Sequence, residues 1–170
     1  NRPPLIIDEV KARKNIAFMA GKAKKSNLLF RPHFKTHQSA TVARWFREMG
    51  VNHIAVSSLA MAYYFYQHGW DDIHIAFPYN LLEHQELYEL AKHIKLTVSI
   101  ESQQALTHLK FHMKTPIHYM IETDVGYGRT GIDARNWESI LSLADQGNSM
   151  CQFSGLMAHA GHTYDAHGID

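Results

Sequence analysis

The strongest constraint on this chain is the order in which its apolar pattern changes period. Short apolar runs alternate with stretches whose apolar residues recur every three or four positions, almost from end to end. This periodicity predicts helices at 9–26, 41–49, 59–68, 81–93, 102–111 and 134–145. It predicts strands at 28–35, 52–57, 72–77, 95–100, 116–122 and 152–159. Successive strands start about 20 to 35 residues apart, room for one crossover helix each. Such a chain is confined to a parallel sheet covered by helices, either an open doubly wound sheet or a (β/α)8 barrel.

The polar residues choose between the two. They recur just past the C-terminal end of each predicted strand: Lys35 and His37, Ser57 and Ser58, Pro78 to Asn80, Glu101 and Ser102, Asp124 to Arg129, His159 to Tyr164. A barrel turns all of these ends toward one mouth. An open sheet would spread them along an edge. No glycine-rich phosphate loop follows the opening strand, so a dinucleotide-binding reading has little support. The expected fold is therefore α/β, the N-terminal portion (about six strands) of a (β/α)8 TIM-type barrel. A closed barrel takes eight strands and about 250 residues. The 170 residues, starting at Asn1 and stopping in HGID, are thus expected to be part of a longer protein.

Three stretches carry chemistry. In Leu28 to His37 (LLFRPHFKTH) an apolar run ends in basic groups. Strand alternation would put Arg31, His33, Lys35 and His37 on one face. A lysine held there, partly dehydrated, would have a lowered pKa and act as a nucleophile toward a carbonyl. An edge strand with a solvated basic face is the plain alternative. A metal site on His33 and His37 is a third, weakened by the lack of a nearby carboxylate or cysteine. In Glu122 to Ile132 (ETDVGYGRTGI), Glu122 and Asp124 share a face, and Arg129 sits among glycines that permit sharp turns. Arg129 there suits an anionic oxygen, unless it is an ordinary surface arginine. In Met157 to Tyr164 (MAHAGHTY), His159, His162 and Tyr164 follow an apolar strand. The chain holds 13 histidines, so each alone says little.

Composition narrows the partners. A formal charge of +1 gives no electrostatic reason to bind nucleic acid or an acidic membrane. The single cysteine, Cys151, allows no internal disulfide, and a reducing, cytoplasmic compartment is the default. The longest apolar runs are strand-length, too short for a membrane span.

Together RPHFKTH, ETDVGYGRTG and HAGHTY resemble the N-terminal part of the fold-type III pyridoxal-phosphate enzymes. The nearer branch is that of D-threonine aldolase and D-serine dehydratase, with alanine racemase more distant. The resemblance runs over almost the whole chain. It implies pyridoxal 5'-phosphate as cofactor, held as a Schiff base on Lys35. It implies Arg129 near the cofactor's phenolic oxygen, His159 near its ring, and His162 with Tyr164 as the dehydratase-like GHxY element. His33 and His37 would be supporting members of the motif. Glu122 stands where the racemase pattern has a basic residue, which counts against racemization. Gln38 replaces a lysine frequent in the branch. The resemblance also implies a lyase acting on a small D-amino acid with a β-hydroxyl, by dehydration or retro-aldol cleavage, working as a homodimer. Its divalent metal, zinc or manganese, would be bound beyond this chain, as would a C-terminal β-domain. An amino-acid racemase, a non-catalytic pyridoxal-phosphate homeostasis protein and a metal-dependent hydrolase barrel are the rivals.

Overall fold

The computed structural model describes residues 6–168. In chain order these form α1 (Glu9–Lys25), α2 (Ala40–Glu48), β1 (Ile54–Val56), α3 (Leu59–Gln67), β2 (Asp72–Pro78) and α4 (His84–Ala91). There follow β3 (Lys95–Ile100), α5 (Gln103–His112), β4 (Ile117–Asp124), β5 (Ile132–Asp133), α6 (Trp137–Ala144) and β6 (Cys151–Ala158). Helix starts follow from capping side chains that accept the orphan N–H groups of a first turn. Asp8 takes the Lys11 N–H at 3.0 Å, and Ser39, Ser58 and Ser102 do the same for α2, α3 and α5. Asn136 caps α6 through Ser139. That cap is why α6 begins at Trp137, three residues later than the apolar pattern suggests. Gly50 and Gly69 follow α2 and α3 at φ 81° and 86°, where a side chain would be strained.

Every strand pairing is parallel, and the order along the sheet is β1-β2-β3-β4-β6, with β5 a two-residue addition at the end of β4. The order never doubles back. Right-handed crossovers that always step the same way leave their helices on one face, as in a barrel; a doubly wound sheet reverses. The packing agrees. Ile54, Val56, Ile73, Leu96, Val98 and Tyr119 share one buried core with Phe65 of α3, Leu90 of α4, Leu109 of α5 and Ile140 of α6.

The intervening positions form a polar row across the other face. His33 bridges Ala55, which registers with His74, then Thr97, His118 and Gln152. His74 is 4% exposed. Its Nε2 lies 3.1 Å from Ser99 Oγ, whose single proton goes to the Ile75 carbonyl. The His74 Nε2–H is therefore the donor. Arg31 Nη1 reaches Asp72 Oδ1 at 2.7 Å and donates to the Ile54 carbonyl, tying the opening segment to β1 and β2.

Several expectations are corrected. The segment 28–35 is not a strand: it is extended to His33, makes one bridge, and turns into a 3-10 helix at Phe34–Thr36. Pro32 has no N–H to extend a ladder, and the Arg31 guanidinium takes the Ile54 carbonyl. The two-residue β5 appears where a loop was expected. Helical spacing over 81–93 and 134–145 turns Leu82, Trp137 and Leu141 toward the core, but they are 88%, 61% and 52% exposed. Leu82 sits in a 3-10 turn before α4, so a helical spacing does not apply to it. On α1 only Ile16 is buried, and Val10 and Met19 stay exposed. Met49 at the end of α2 is likewise exposed.

The buried histidine makes stability depend on pH. Burial, then the Arg31 charge and His33, push His74 down to about 4. The unfolded chain, with an ordinary value near 6.5, binds more protons between these limits. Stability is thus complete above about pH 6.5 and falls as pH drops toward 4, by up to about 3 kcal/mol for one such group. Urea denaturation from pH 7.5 to 4.5 should show this loss, and His74→Gln should reduce its slope. Equal slopes in the two proteins would contradict it.

Candidate active site

The site starts at the turn that carries Lys35. Phe34 is fully buried, its ring 5.0 to 5.1 Å from those of Phe46, Phe65 and Trp70. The Ala55 N–H donates to the Pro32 carbonyl at 2.9 Å, fixing the segment just before the turn. His33 Nδ1 accepts the Lys35 N–H at 3.2 Å and caps the turn. With Phe34 sunk in the core, Lys35 is left exposed on a rigid support. It is not packed within a strand face, because the chain leaves extended geometry at residue 34.

His33 is pushed down to about 4 by burial first, and then by the charges of Lys35, His159 and Arg129. One half-buried neutral imidazole therefore lies within electrostatic reach of groups from three separate elements. His37 does not join them. Its ring packs on Phe34 and Phe46, centroids 4.6 and 5.8 Å away, and its Nδ1 accepts the Ser39 N–H. The idea of a metal on His33 and His37 has no support in this arrangement, since His37 belongs to the aromatic core.

The loop after β4 closes the next side. Glu122 is 1% exposed, and its Oε1 accepts the Thr130 hydroxyl at 2.5 Å. Its Oε2 is buried with no hydrogen-bond partner among the described residues. Asp124 holds the loop itself together. Its carboxylate accepts the N–H groups of Gly128 and Gly126, which hold it below the usual carboxylate range. It shapes the loop, and nothing places it beside Lys35. Gly131, at φ 103°, donates to Glu101 Oε2; a Cβ there would lie 2.9 Å from the Glu122 carbonyl oxygen. Arg129 is exposed beyond this pinned base.

The loop after β6 meets it. The His159 ring stands edge-on to Tyr127, centroids 5.2 Å apart, and 6.2 Å from Tyr164. Tyr127 lies flush on Gly161, where a Cβ would come within 2.6 to 2.8 Å of ring atoms. Burial, then Arg129 and Lys35, lower the His159 pKa, with Glu122 opposing. Tyr164 borders the cluster but is 77% exposed. His162 is exposed on the same short turn, Gly161–Asp165, and no contact among the described residues joins it to the rest. Tyr127 and His74 escaped the sequence reading. The signal for Tyr127 was an aromatic ring between two glycines.

An exposed primary amine, a guanidinium, two imidazoles of lowered basicity and a buried carboxylate with one free oxygen thus gather at one end of the sheet. The set suits a small anionic molecule bearing a carbonyl. Removing the donor to Glu122 should be felt by the fold. Thr130→Val is expected to cost about 1–3 kcal/mol, as for a buried acceptor left unpaired. Chemical denaturation checks this, and a loss under about 0.5 kcal/mol would contradict it.

Known proteins resemble this chain in sequence and in fold. A D-threo-3-hydroxyaspartate dehydratase of Delftia sp. (strain HT23) is 29% identical over 96% of this chain and 44% of its own length. A D-threonine aldolase of Arthrobacter sp. is 28% identical over 94% of the chain and 43% of its own length. The crystal structure of an alanine racemase-like protein from Idiomarina loihiensis superposes with a TM-score of 0.84 at 26% identity, over 99% of this chain and 45% of that one. The chain thus spans less than half the length of these relatives. The family model described as alanine racemase, N-terminal domain, matches residues 7–168, and the chain belongs to that family.

Proposed function

We propose that this chain carries the lysine-bearing part of a pyridoxal-phosphate lyase that acts on D-amino acids with a β-hydroxyl. The observation that carries the reading is Lys35, exposed on a turn anchored by Phe34 and within electrostatic reach of His33 and His159, the two imidazoles that Arg129 also reaches. The donor set fits the cofactor. An aldehyde calls for an amine, which Lys35 supplies. An anionic ring oxygen calls for a guanidinium, which Arg129 supplies. Glu122 Oε2 is a buried acceptor still without a donor. The cofactor, when bound, supplies an electron sink for charge developing at the substrate α-carbon.

This chain's residues do the rest. Lys35 Nζ would hold the cofactor and, when free, would be the base placed to take the α-proton or to hold the β-hydroxyl proton. His33 stays neutral because burial and surrounding cations oppose its charging, so it does not compete for that proton. His159 is held edge-on by Tyr127 and flanks the cluster, with Tyr164 and His162 at its rim. The activities of the dehydratase and the aldolase that this chain resembles support a β-hydroxy substrate. Dehydration of a D-serine type and cleavage of a D-threonine type both suit it.

Three further parts belong to the same reading. The barrel is completed by strands outside residues 1–170; Phe153 and Leu156 of β6 register with the helix-facing Tyr119 and Ile121, yet are 38% and 54% exposed. The divalent metal, zinc or manganese, that would take the β-hydroxyl is held outside this chain. The protein works as a cytoplasmic homodimer, a compartment consistent with a lone buried thiol. No described helix is long and apolar enough to cross a membrane.

Borohydride reduction of the cofactor-loaded full-length protein should fix the label on Lys35 in a peptide map. A label on Lys22 or Lys92 would overturn the assignment. With D-serine, D-threonine and D-threo-3-hydroxyaspartate, release of ammonia or glycine is expected. Formation of L-alanine from D-alanine without these products would make it a racemase. Cofactor binding with no turnover of any would make it a homeostasis protein. Arg129→Lys, which loses two-point contact, should lower turnover about tenfold or more, roughly 1.4 kcal/mol. Its folding stability should move by less than about 0.5 kcal/mol.

A further inference from the structure

Away from the lysine cluster, three histidines meet between α4 and α5. His84 opens α4, while His108 and His112 stand one turn apart on α5. Their ring centroids lie 3.9 Å (His84 to His112), 4.2 Å (His108 to His112) and 5.3 Å (His84 to His108) apart. One ring nitrogen from each can be chosen so that all three lie within 4.8 Å of one another, and all three residues are half-buried. Among the described residues this is the only such group of potential metal ligands. We propose that His84, His108 and His112 form a binding site for a divalent first-row metal ion, with zinc as the ion that fits best.

The arrangement has the parts such a site needs. Residues at i and i+4 share a helix face, so His108 and His112 present two imidazoles side by side. The buried residues of α5, Ala105, Leu106 and Leu109, fix that helix against the sheet. His84 brings the third ligand from a different helix, so a bound ion would tie α4 to α5. Two of the imidazoles already have the orienting partner expected of metal-binding histidines. The His84 Nδ1 is 3.0 Å from the Leu81 carbonyl, which can only accept, so its Nδ1 carries the proton and its Nε2 lone pair is free. The His108 Nδ1 lies 3.1 Å from the Tyr79 hydroxyl, which can accept its N–H and so leave the Nε2 lone pair for the ion. The His112 imidazole makes no hydrogen bond among the described residues, so neither of its ring nitrogens is committed.

Three imidazoles with no carboxylate or thiolate suit zinc, with a solvent molecule as fourth ligand. Zinc–nitrogen bonds of about 2.0–2.1 Å place ligand nitrogens about 3.3 Å apart in a tetrahedron. The three rings need to draw together by roughly an ångström or so, within the reach of side-chain rotation. Lys114 is the cationic neighbour of His112, and its amine is turned to the Phe111 carbonyl at 3.0 Å. The site is separate from the lysine cluster and does not depend on the cofactor reading.

The test is equilibrium dialysis of the full-length protein against zinc chloride, followed by metal analysis, with cobalt(II) as the spectroscopic probe. Wild type should bind one zinc per chain more than His84→Gln, His108→Gln or His112→Gln, and should show visible absorption of tetrahedral cobalt that each variant loses. A metal site elsewhere in the protein would be common to all four proteins and cancels in the difference. Circular dichroism confirms folding. Should His84→Gln or His108→Gln fail to fold, His112→Gln decides, since its imidazole makes no hydrogen bond that the fold would lose. Equal zinc stoichiometry and an unchanged cobalt spectrum in folded His112→Gln would overturn the proposal.

Discussion

The structure depends on one topological constraint, that its parallel strands are laid down in sequence without reversal. Each crossover then returns on the same side, and α2 to α6 must find their apolar partners on one face of the sheet, while α1 packs on α2 through Ile16. The isoleucines, leucines and valines of β1 to β4 meet that demand. Among the described residues the other face receives no helix and is free to hold polar groups. It carries His33, His74, Thr97, His118 and Gln152 in one register across the strands. The same ordering brings all C-terminal strand ends to one side, where the loops gather.

Rigidity at that end comes from the core rather than from the site. Phe34 is one residue from Lys35 and fully buried among three aromatic rings. Glu122 is two residues from Asp124, which folds the glycine loop by taking its backbone N–H groups. Tyr127 and Gly161 then lock the β4 and β6 loops together, because only a residue without a side chain permits that approach. Lys35, Arg129 and His159 are exposed or half-buried, yet each is attached to a well-packed neighbour. Such support is what precise placement of reactive groups requires.

The alternation of elements, the parallel sheet and the site-bearing stretches were legible because each rests on local period or on a short motif. The face of a single side chain was less so. Lys35 was assigned by strand alternation, but Pro32 and the His33 cap turn the chain out of extended geometry before it is reached. The total of six strands agrees with expectation only because the lost opening strand is replaced by β5. Trp137 and Leu141 read as core by helical spacing, and Ile140 with Leu143 took that place. His37 looked like a ligand and is a packed aromatic; its aromatic partners come from α2 and α3, out of reach of any local pattern. Tyr127, His74 and the histidine cluster between α4 and α5 depend on contacts across the fold, which spacing along the chain does not encode.

The central claim is that Lys35 is the amine around which the site is built. Titration of the full-length protein with pyridoxal 5'-phosphate, followed by visible absorption, tests it most directly in wild type and in Lys35→Ala. The account predicts a new band for the lysine-bound cofactor in wild type and none in the variant, with both proteins equally folded by circular dichroism. The same band at the same cofactor concentration in Lys35→Ala would contradict it.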